Sequence, residues 1–404
     1  MLNRLWLSLM LLSVFALVVQ AFQGEWQLWE TWVKALFEMS QLSVDIALGL
    51  IGVLCFWMGL FRIAEHTGLI GWVSKLLSPI LQRLMPDVPK NHPAFASITA
   101  NISANMFGLD NAATPLGIQA MRDLQSLNPH KECISAAQIM FLVINTASIT
   151  LFPMTIVMYR AQQGAANPAD IVFPIVVITS ISTFIGVIAA AMIQRIRWWD
   201  PVLLITAAGY IGFLVFFGMF FRGDENNIGI ISNVMIGGTI GCILIAAWIK
   251  KIDAYSAFIQ GAKSGFAIAL RIIPYLVIML VAIGGLRASG VLEAFTKVIT
   301  FALTTLGLPD DFVEALPIAV MKPFSGSGSR ALTLELMHSA GVDSFVARVG
   351  AMMQGSTETT FYVLAVYLGA VGIKQTRYLV SLCLFADAVA LIAAVILSYW
   401  FFAP

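Results

Sequence analysis

The sequence predicts an all-α polytopic membrane protein built as two inverted-topology repeats, each with a re-entrant hairpin and a broken transmembrane helix. Three observations predict it. Only 11% of the 404 residues are charged and 59% are hydrophobic, with mean hydropathy +0.88, whereas a soluble domain carries about 25% charged residues to solvate its surface. Runs such as Val202–Phe221, Ile228–Ile249 and Leu379–Phe402 approach the roughly 20 apolar residues that cross a hydrocarbon core of about 30 Å. The order of elements in residues 45–198 also recurs in residues 253–404.

Composition excludes several classes. A net charge of +1 gives no electrostatic footprint for nucleic acid. Cys55, Cys133, Cys242 and Cys383 are scattered, as are His66, His92, His130 and His338, so no metal site is expected.

Taken in order, Leu5–Val19 follows Arg4 and ends weakly at Val19-Gln20-Ala21; it reads as an uncleaved anchor helix rather than a removed signal. The aromatic, acidic stretch with Trp26, Trp29, Trp32, Glu25, Glu30 and Glu38 suits a membrane–water boundary and completes an N-terminal unit, 1–44, as a periplasmic segment. Ile46–Leu60 then crosses, and Gly68–Met85 is amphipathic enough to lie in the interface. Pro93–Leu124 is interrupted by polar residues around Gly108 to Pro115. Each arm would be only about 20 Å long at 1.5 Å per residue, too short to cross, so a re-entrant hairpin is expected. Thr114 before Pro115 reads as the start of its second arm. Crossings follow at Ala136–Met158, with a break around Asn145 to Pro153, and at Ile171–Ile193.

A central pair in 199–252, joined by Gly223-Asp224-Glu225-Asn226-Asn227, separates the halves; its Gly237-Gly238-Thr239-Ile240-Gly241 run is expected to permit close helix packing. The plan then repeats. Phe266–Ile283 crosses, Gly290–Leu306 is amphipathic, and Pro317–Met337 forms a hairpin around Ser325-Gly326-Ser327-Gly328-Ser329. Val346–Val371 breaks at Gln354 to Thr360, and Leu379–Phe402 follows. Matched positions include Gly68 with Gly290, Phe107 with Phe324, and Thr150-Leu151-Phe152 with Thr359-Thr360-Phe361.

Three crossings per half, with an even pair between, start the second half from the opposite face, so the repeats are inverted. A cytoplasmic N-terminus in a bacterial inner membrane puts the larger share of Lys and Arg inside, including Arg62, Lys75, Arg83, Lys131 and Lys374. Arg160, Arg287, Lys322, Arg330 and Arg348 then fall outside.

Non-helical backbone at membrane depth must be buried in protein or line a wet cavity. The four polar interruptions therefore converge near the midplane. The first set offers Asn101, Asn105, Asp110, Asn111 and Thr114 with Asn145, Thr146, Ser148 and Thr150; the second offers Lys322, Ser325, Ser327, Ser329 and Arg330 with Gln354, Ser356, Thr357, Glu358, Thr359 and Thr360. Half-helix N-termini suit an anionic group, and unwound carbonyls suit a cation. Intramembrane acids such as Glu358 and Asp110 mark function by default, although Glu358 could instead pair structurally with Arg330 or Lys322. No phosphate-binding loop or nucleophile elbow with credible partners appears, so the chain does not read as an enzyme.

The run Asn101–Gly117, NISANMFGLDNAATPLG, resembles the signature of bacterial spore maturation protein A. Pro323–Ala331, PFSGSGSRA, and Gln354–Tyr367, QGSTETTFYVLAVY, resemble its companion, protein B. All three are similar to the Gate, or nucleoside-recognition, domain of concentrative nucleoside transporters and B-type ferrous-iron transporters. That resemblance implies paired hairpins and broken helices around a midplane substrate, moving as an elevator. The chain carries no Asn-Glu-Phe-Val-Ala signature of true nucleoside transporters and no cysteines placed for an iron path. The function expected is a secondary transporter of a nucleoside or organic anion, coupled to H+ or Na+ and without a cofactor. Its partners are a small-molecule substrate and the lipid bilayer, a homo-oligomer being compatible. A non-transporting scaffold and a passive channel are the alternatives.

Overall fold

Long apolar runs make long helices here, α11 even continuing through Pro274, and most polar interruptions decide where helices stop. The computed structural model describes residues 2–108, 110–197, 199–220 and 225–402; of the expected turn at Gly223–Asn227, Gly223 and Asp224 fall outside them and Glu225–Asn227 already belong to a helix. Helix α1 (Leu2–Phe22) precedes α2 (Gln27–Thr67). The 41 residues of α2 span about 60 Å, well beyond the crossing read at Ile46–Leu60. The stretch taken as a separate periplasmic segment is its first turns, so a boundary at residue 44 falls inside a helix. No proline occurs between Trp26 and Thr67 to end it earlier.

Gly68, at φ +70, turns the chain into amphipathic α3 (Leu69–Leu84). Helices α4 (Ala94–Met106) and α5 (Asp110–Leu127) pack against each other. Here α5 starts at Asp110, so Thr114 and Pro115 lie inside it rather than at its cap. As the sixth residue of α5, Pro115 has no N–H to give the Asn111 carbonyl, so that turn lacks one intrahelical bond. The crossing that follows is split into α6 (Ala136–Ala147) and α7 (Met154–Gln162), and α8 (Val172–Ile193) completes the first half. Next come α9 (Pro201–Phe220) and α10 (Glu225–Ile249).

The second half runs through α11 (Ala254–Ala288), amphipathic α12 (Val291–Thr305), a short α13 (Leu316–Met321) and α14 (Gly326–Ala340). A second split crossing, α15 (Phe345–Gly355) and α16 (Thr360–Gly369), leads to α17 (Leu379–Phe402). The Ser-Gly-Ser-Gly-Ser run is not a free tip. Ser325 caps α14, accepting from the Gly328 amide at 3.0 Å, and the rest is its first turn. Among the described residues α2, α8, α10, α11 and α17 are long and apolar enough to cross a membrane, and the only extended pairing is an isolated bridge, Cys133 with Gln375. The protein is an all-α polytopic membrane protein.

The two longest helices, α2 and α11, pack along each other. A Cβ on Gly261 would come within 2.1 Å of the Met58 carbonyl oxygen, and one on Gly265 within 2.6 Å of that of Leu54. With buried Ala257 and Ala269 they form a small-residue stripe at four-residue spacing. In lipid there is little hydrophobic drive between helices, so such close backbone approach carries the association. The expectation that Gly237, Gly238 and Gly241 do this is overturned: a Cβ on any of them meets nothing within 4 Å. Glycine frequency alone does not say which face has a neighbour.

Helix α1 belongs to the bundle. Its Trp6 indole donates to the Ile278 carbonyl at 2.9 Å and its Gln20 amide to the Ser289 carbonyl at 2.8 Å, while Ser13 takes the Trp32 indole at 2.5 Å. Loops join at two places. The Lys374 and Gln375 amides donate to the Glu132 carbonyl at 2.9 and 3.0 Å, and the Lys374 ammonium meets the Glu132 carboxylate at 2.7 Å. Elsewhere fully buried Arg160 holds Asp170 and Asp343, each at 3.0 Å, and donates to the Val342 carbonyl at 2.8 Å; Arg348 reaches Asp170 at 3.1 Å.

Gly265→Val should lower stability by about 1–3 kcal/mol through overpacking, while Gly237→Ala should leave the melting temperature in detergent unchanged. Arg160→Ala strips a buried carboxylate of one partner, a loss of about 3–5 kcal/mol for such pairs. Its effect should sit near the low end because Arg348 stays on Asp170, and thermal unfolding measures it.

Candidate functional site

A helix that stops inside a membrane protein leaves amides and carbonyls that must find partners. Pro153 lacks an N–H and biases Phe152 away from helical geometry, which separates α6 from α7. The freed amides are satisfied from outside: Thr150 N–H donates to the Thr179 hydroxyl on α8 at 3.3 Å, and Leu151 N–H to the Met106 carbonyl at the end of α4 at 3.0 Å. The second break has no proline. Its Ser/Thr run competes with the helix through local bonds, the Ser356 hydroxyl donating to the Met353 carbonyl at 2.7 Å. There Phe361 N–H donates to the Pro323 carbonyl, just before α14, at 3.0 Å.

Each turn between hairpin helices thus docks on the break of its own half, in the same way. Phe107 stacks on Phe152 with ring centroids 5.8 Å apart, and Phe324 on Phe361 at 5.1 Å. These are the phenylalanines matched between the repeats. A glycine makes room in both places: a Cβ on Gly108 (φ +68) would lie 2.7 Å from the Phe152 carbonyl oxygen, and one on Gly326 2.6 Å from the Thr359 hydroxyl. One backbone bond then joins the two breaks, Glu358 N–H donating to the Thr146 carbonyl at 3.0 Å.

Several of the residues singled out in the sequence meet here. Asn105 donates to the Asn145 side-chain oxygen at 2.9 Å, and Asn145 donates back to the Phe141 carbonyl at 3.0 Å. The Ser329 hydroxyl donates to the Gln354 side-chain oxygen. Ser325 and Ser327 hydroxyls lie 3.2 Å apart. Asn145, Ser148, Ser325, Ser329, Gln354, Ser356 and Thr357 are buried; Asn105, Thr114, Ser327, Arg330, Glu358 and Thr359 are half-buried. The buried Thr357 hydroxyl has no hydrogen-bond partner, an unspent polar group at the break. The side chains of Asp110 and Asn111 lie outside the described residues.

Lys322, which the charge count put outside but the polar interruptions put at the second tip, is buried, and its ammonium donates to the Gln354 carbonyl at 2.6 Å. It therefore belongs to the centre rather than to a solvent loop. Sequence reasoning missed Asp387. This α17 carboxylate is 2% exposed and accepts from the Thr360 hydroxyl at 2.6 Å. The signal was available, a lone acid in an apolar span. Among the described residues no cluster of three His, Cys, Asp or Glu could hold a metal. An open cavity of about 620 Å³ lies elsewhere, at the α10–α11 junction, lined by Leu244, Trp248 and Lys251 among others; its apolar walls carry none of these groups.

Two interrupted helices, α6–α7 and α15–α16, each held by the turn between two neighbouring helices and bonded to the other, define a helical membrane protein with a sheltered polar centre. The chain belongs to the nucleoside recognition (Gate) family, whose model matches residues 47–163 and 269–374, more than half of the chain. It is 40% identical over 195 residues to spore maturation protein A of Bacillus subtilis, which covers 48% of this chain and 94% of that protein. It is 42% identical over 167 residues to spore maturation protein B of the same organism, 41% of this chain and 92% of that one. One chain thus carries stretches similar to both. No solved structure matches it. A nucleoside recognition domain within a membrane protein suggests a transporter-like role.

Gly108→Ala forces a side chain into the left-handed region, at about 1–2 kcal/mol, and against the Phe152 carbonyl. The variant should unfold at lower temperature than Gly164→Ala, which has positive φ but open space around it; differential scanning fluorimetry on the purified pair tests this.

Proposed function

We propose that this protein is a secondary transporter of a small polar metabolite, a nucleoside or an organic anion, coupled to H+ or Na+. The substrate binds where the two hairpin turns and the two breaks meet. The observation that carries this reading is the Glu358–Thr146 backbone bond, which brings the two unwound segments together. Asn105, Asn145, Ser329 and Gln354 surround that junction with amides and a hydroxyl, and Lys322 supplies positive charge suited to an anionic group.

Several features support inverted repeats with re-entrant hairpins. The loop after α5 is bonded to the loop after α16, and the loop after α7 to the loop after α14, where the Ala166 amide donates to the Asp343 carboxylate at 2.9 Å. Each hairpin thus shares its entry end with the exit of the other half's split crossing. The first pair of loops carries Lys131 and Lys374, which the charge bias puts inside with the N-terminus, in a bacterial inner membrane. Arg160 on α7 and Arg348 on α15 flank the second pair. Asn145, Ser329, Gln354 and Lys322 are buried, so a solute reaches them only when hairpin turns and breaks separate, as alternating access requires.

A thermal-shift screen of purified protein against nucleosides, nucleobases and organic anions, with and without Na+ and across pH, tests this reading. A true substrate at about 100 times its Kd stabilises the native state by about 2.7 kcal/mol, and Asn145→Ala and Gln354→Ala should abolish that shift. If no solute shifts the protein and both variants function as wild type, the scaffold reading replaces transport. Saturable flux in proteoliposomes separates a transporter from a channel.

A further inference from the structure

Asp387 is used by nothing described so far beyond its bond to Thr360. It sits mid-way along α17, 2% exposed, and only one of its carboxylate oxygens has a hydrogen-bond donor; Oδ1 is buried without a partner. A charged oxygen left so in a low-dielectric interior is costly, and a proton is the simplest ligand that removes the charge. The donor it does have, Thr360, is the first residue of α16 beyond the second break, so the carboxyl is attached to the element whose geometry defines the centre.

The surroundings favour a proton over a metal cation. Among the described residues on elements around α17, Lys322 is the charged group placed to act on Asp387, and Cys383, one turn away on α17 itself, is the titratable one. Helices α6, α8 and α16 present neutral hydroxyls: Thr146 to Cys383, Ser182 to the Ala386 carbonyl, and Thr360 to Asp387; α15 meets α17 through Met352 and Ser398. A sodium ion needs several oxygen ligands and would be repelled by the ammonium, whereas a proton needs one oxygen.

We propose that Asp387 is a proton-binding site that sets the state of the second break. Protonated, it is a neutral carboxylic acid and Lys322 stays on the Gln354 carbonyl. Loss of the proton to water leaves a carboxylate that draws the ammonium away from Gln354 and loosens the end of α15. Its part in coupling rests on the transporter reading above; the protonation itself does not.

Infrared difference spectra of the full-length protein in lipid, titrated upward from about pH 5, test it above the range near 4 where exposed carboxyls ionise. Wild type should show a carbonyl stretch from a protonated carboxylic acid that is lost as pH rises. Asp387→Asn should lack that band, and Asp387→Glu should move it, which serves if the Asn variant does not fold. Absence of the band in wild type, its persistence in folded Asp387→Asn, or its removal by Na+ at fixed pH would overturn the proposal. A band assigned to Asp387 upholds it even if no solute shifts stability in the screen, in which case the transporter reading alone fails.

Discussion

The rest of the structure depends on one constraint: unwound backbone inside a membrane protein must find its hydrogen bonds within the protein. At the two helix breaks the chain frees backbone amides, and four of them are answered by a carbonyl or hydroxyl from a neighbouring element. Leu151 is answered by Met106, Phe361 by Pro323, Glu358 by Thr146 and Thr150 by Thr179. These bonds oblige the hairpin turns to sit against the breaks and the breaks against each other. Stacked phenylalanines and a close-fitting glycine on each side seal the contact.

Around that centre the long helices act as a frame. The stripe of Ala257, Gly261, Gly265 and Ala269 presses α11 against α2 at backbone distance, the kind of contact that packing in lipid rewards. Apart from Lys322 and Asp387 near the centre, the charges named here sit toward loops and helix ends. The Arg160 cluster ties the end of α7 to the loop before α15, and Glu132 with Lys374 ties the loop before α6 to the one after α16. Arg83 meets Asp200 at 2.9 Å and fastens α3 to the start of α9. Partial desolvation disfavours the Asp200 anion, but the Val202 amide and Arg83 outweigh it and hold the carboxyl below its usual range. That link is therefore intact at neutral pH and fades as acid protonates it.

Amphipathic α12 has no buried residue, and Val298 and Phe301 are more than 70% exposed. In water such a helix would be an aggregation hazard; against lipid it is the ordinary surface of an interfacial helix. The same holds for Ile205, Phe216 and Ile245 on α9 and α10, whose apolar side chains point away from the protein. The outward face is apolar and the polar groups lie inside, the reverse of a soluble protein.

By itself the sequence determined the class, the order of elements and the places where helices stop. Hydrophobic run length, proline and Ser/Thr clusters act locally, so the breaks at 148–153 and 356–359 and the pairing of Phe107 with Phe324 and of Phe152 with Phe361 were legible without a structure. Element lengths were less so, because α2 continues through a Trp- and Glu-rich stretch that composition marked as surface. Only the tertiary structure decided which partners those features meet. Whether a glycine stripe has a neighbour, whether Lys322 faces solvent or Gln354, and whether a lone acid such as Asp387 reaches the centre depend on contacts between residues far apart in the chain. Periodicity and spacing carry no information about those contacts until the helices have packed.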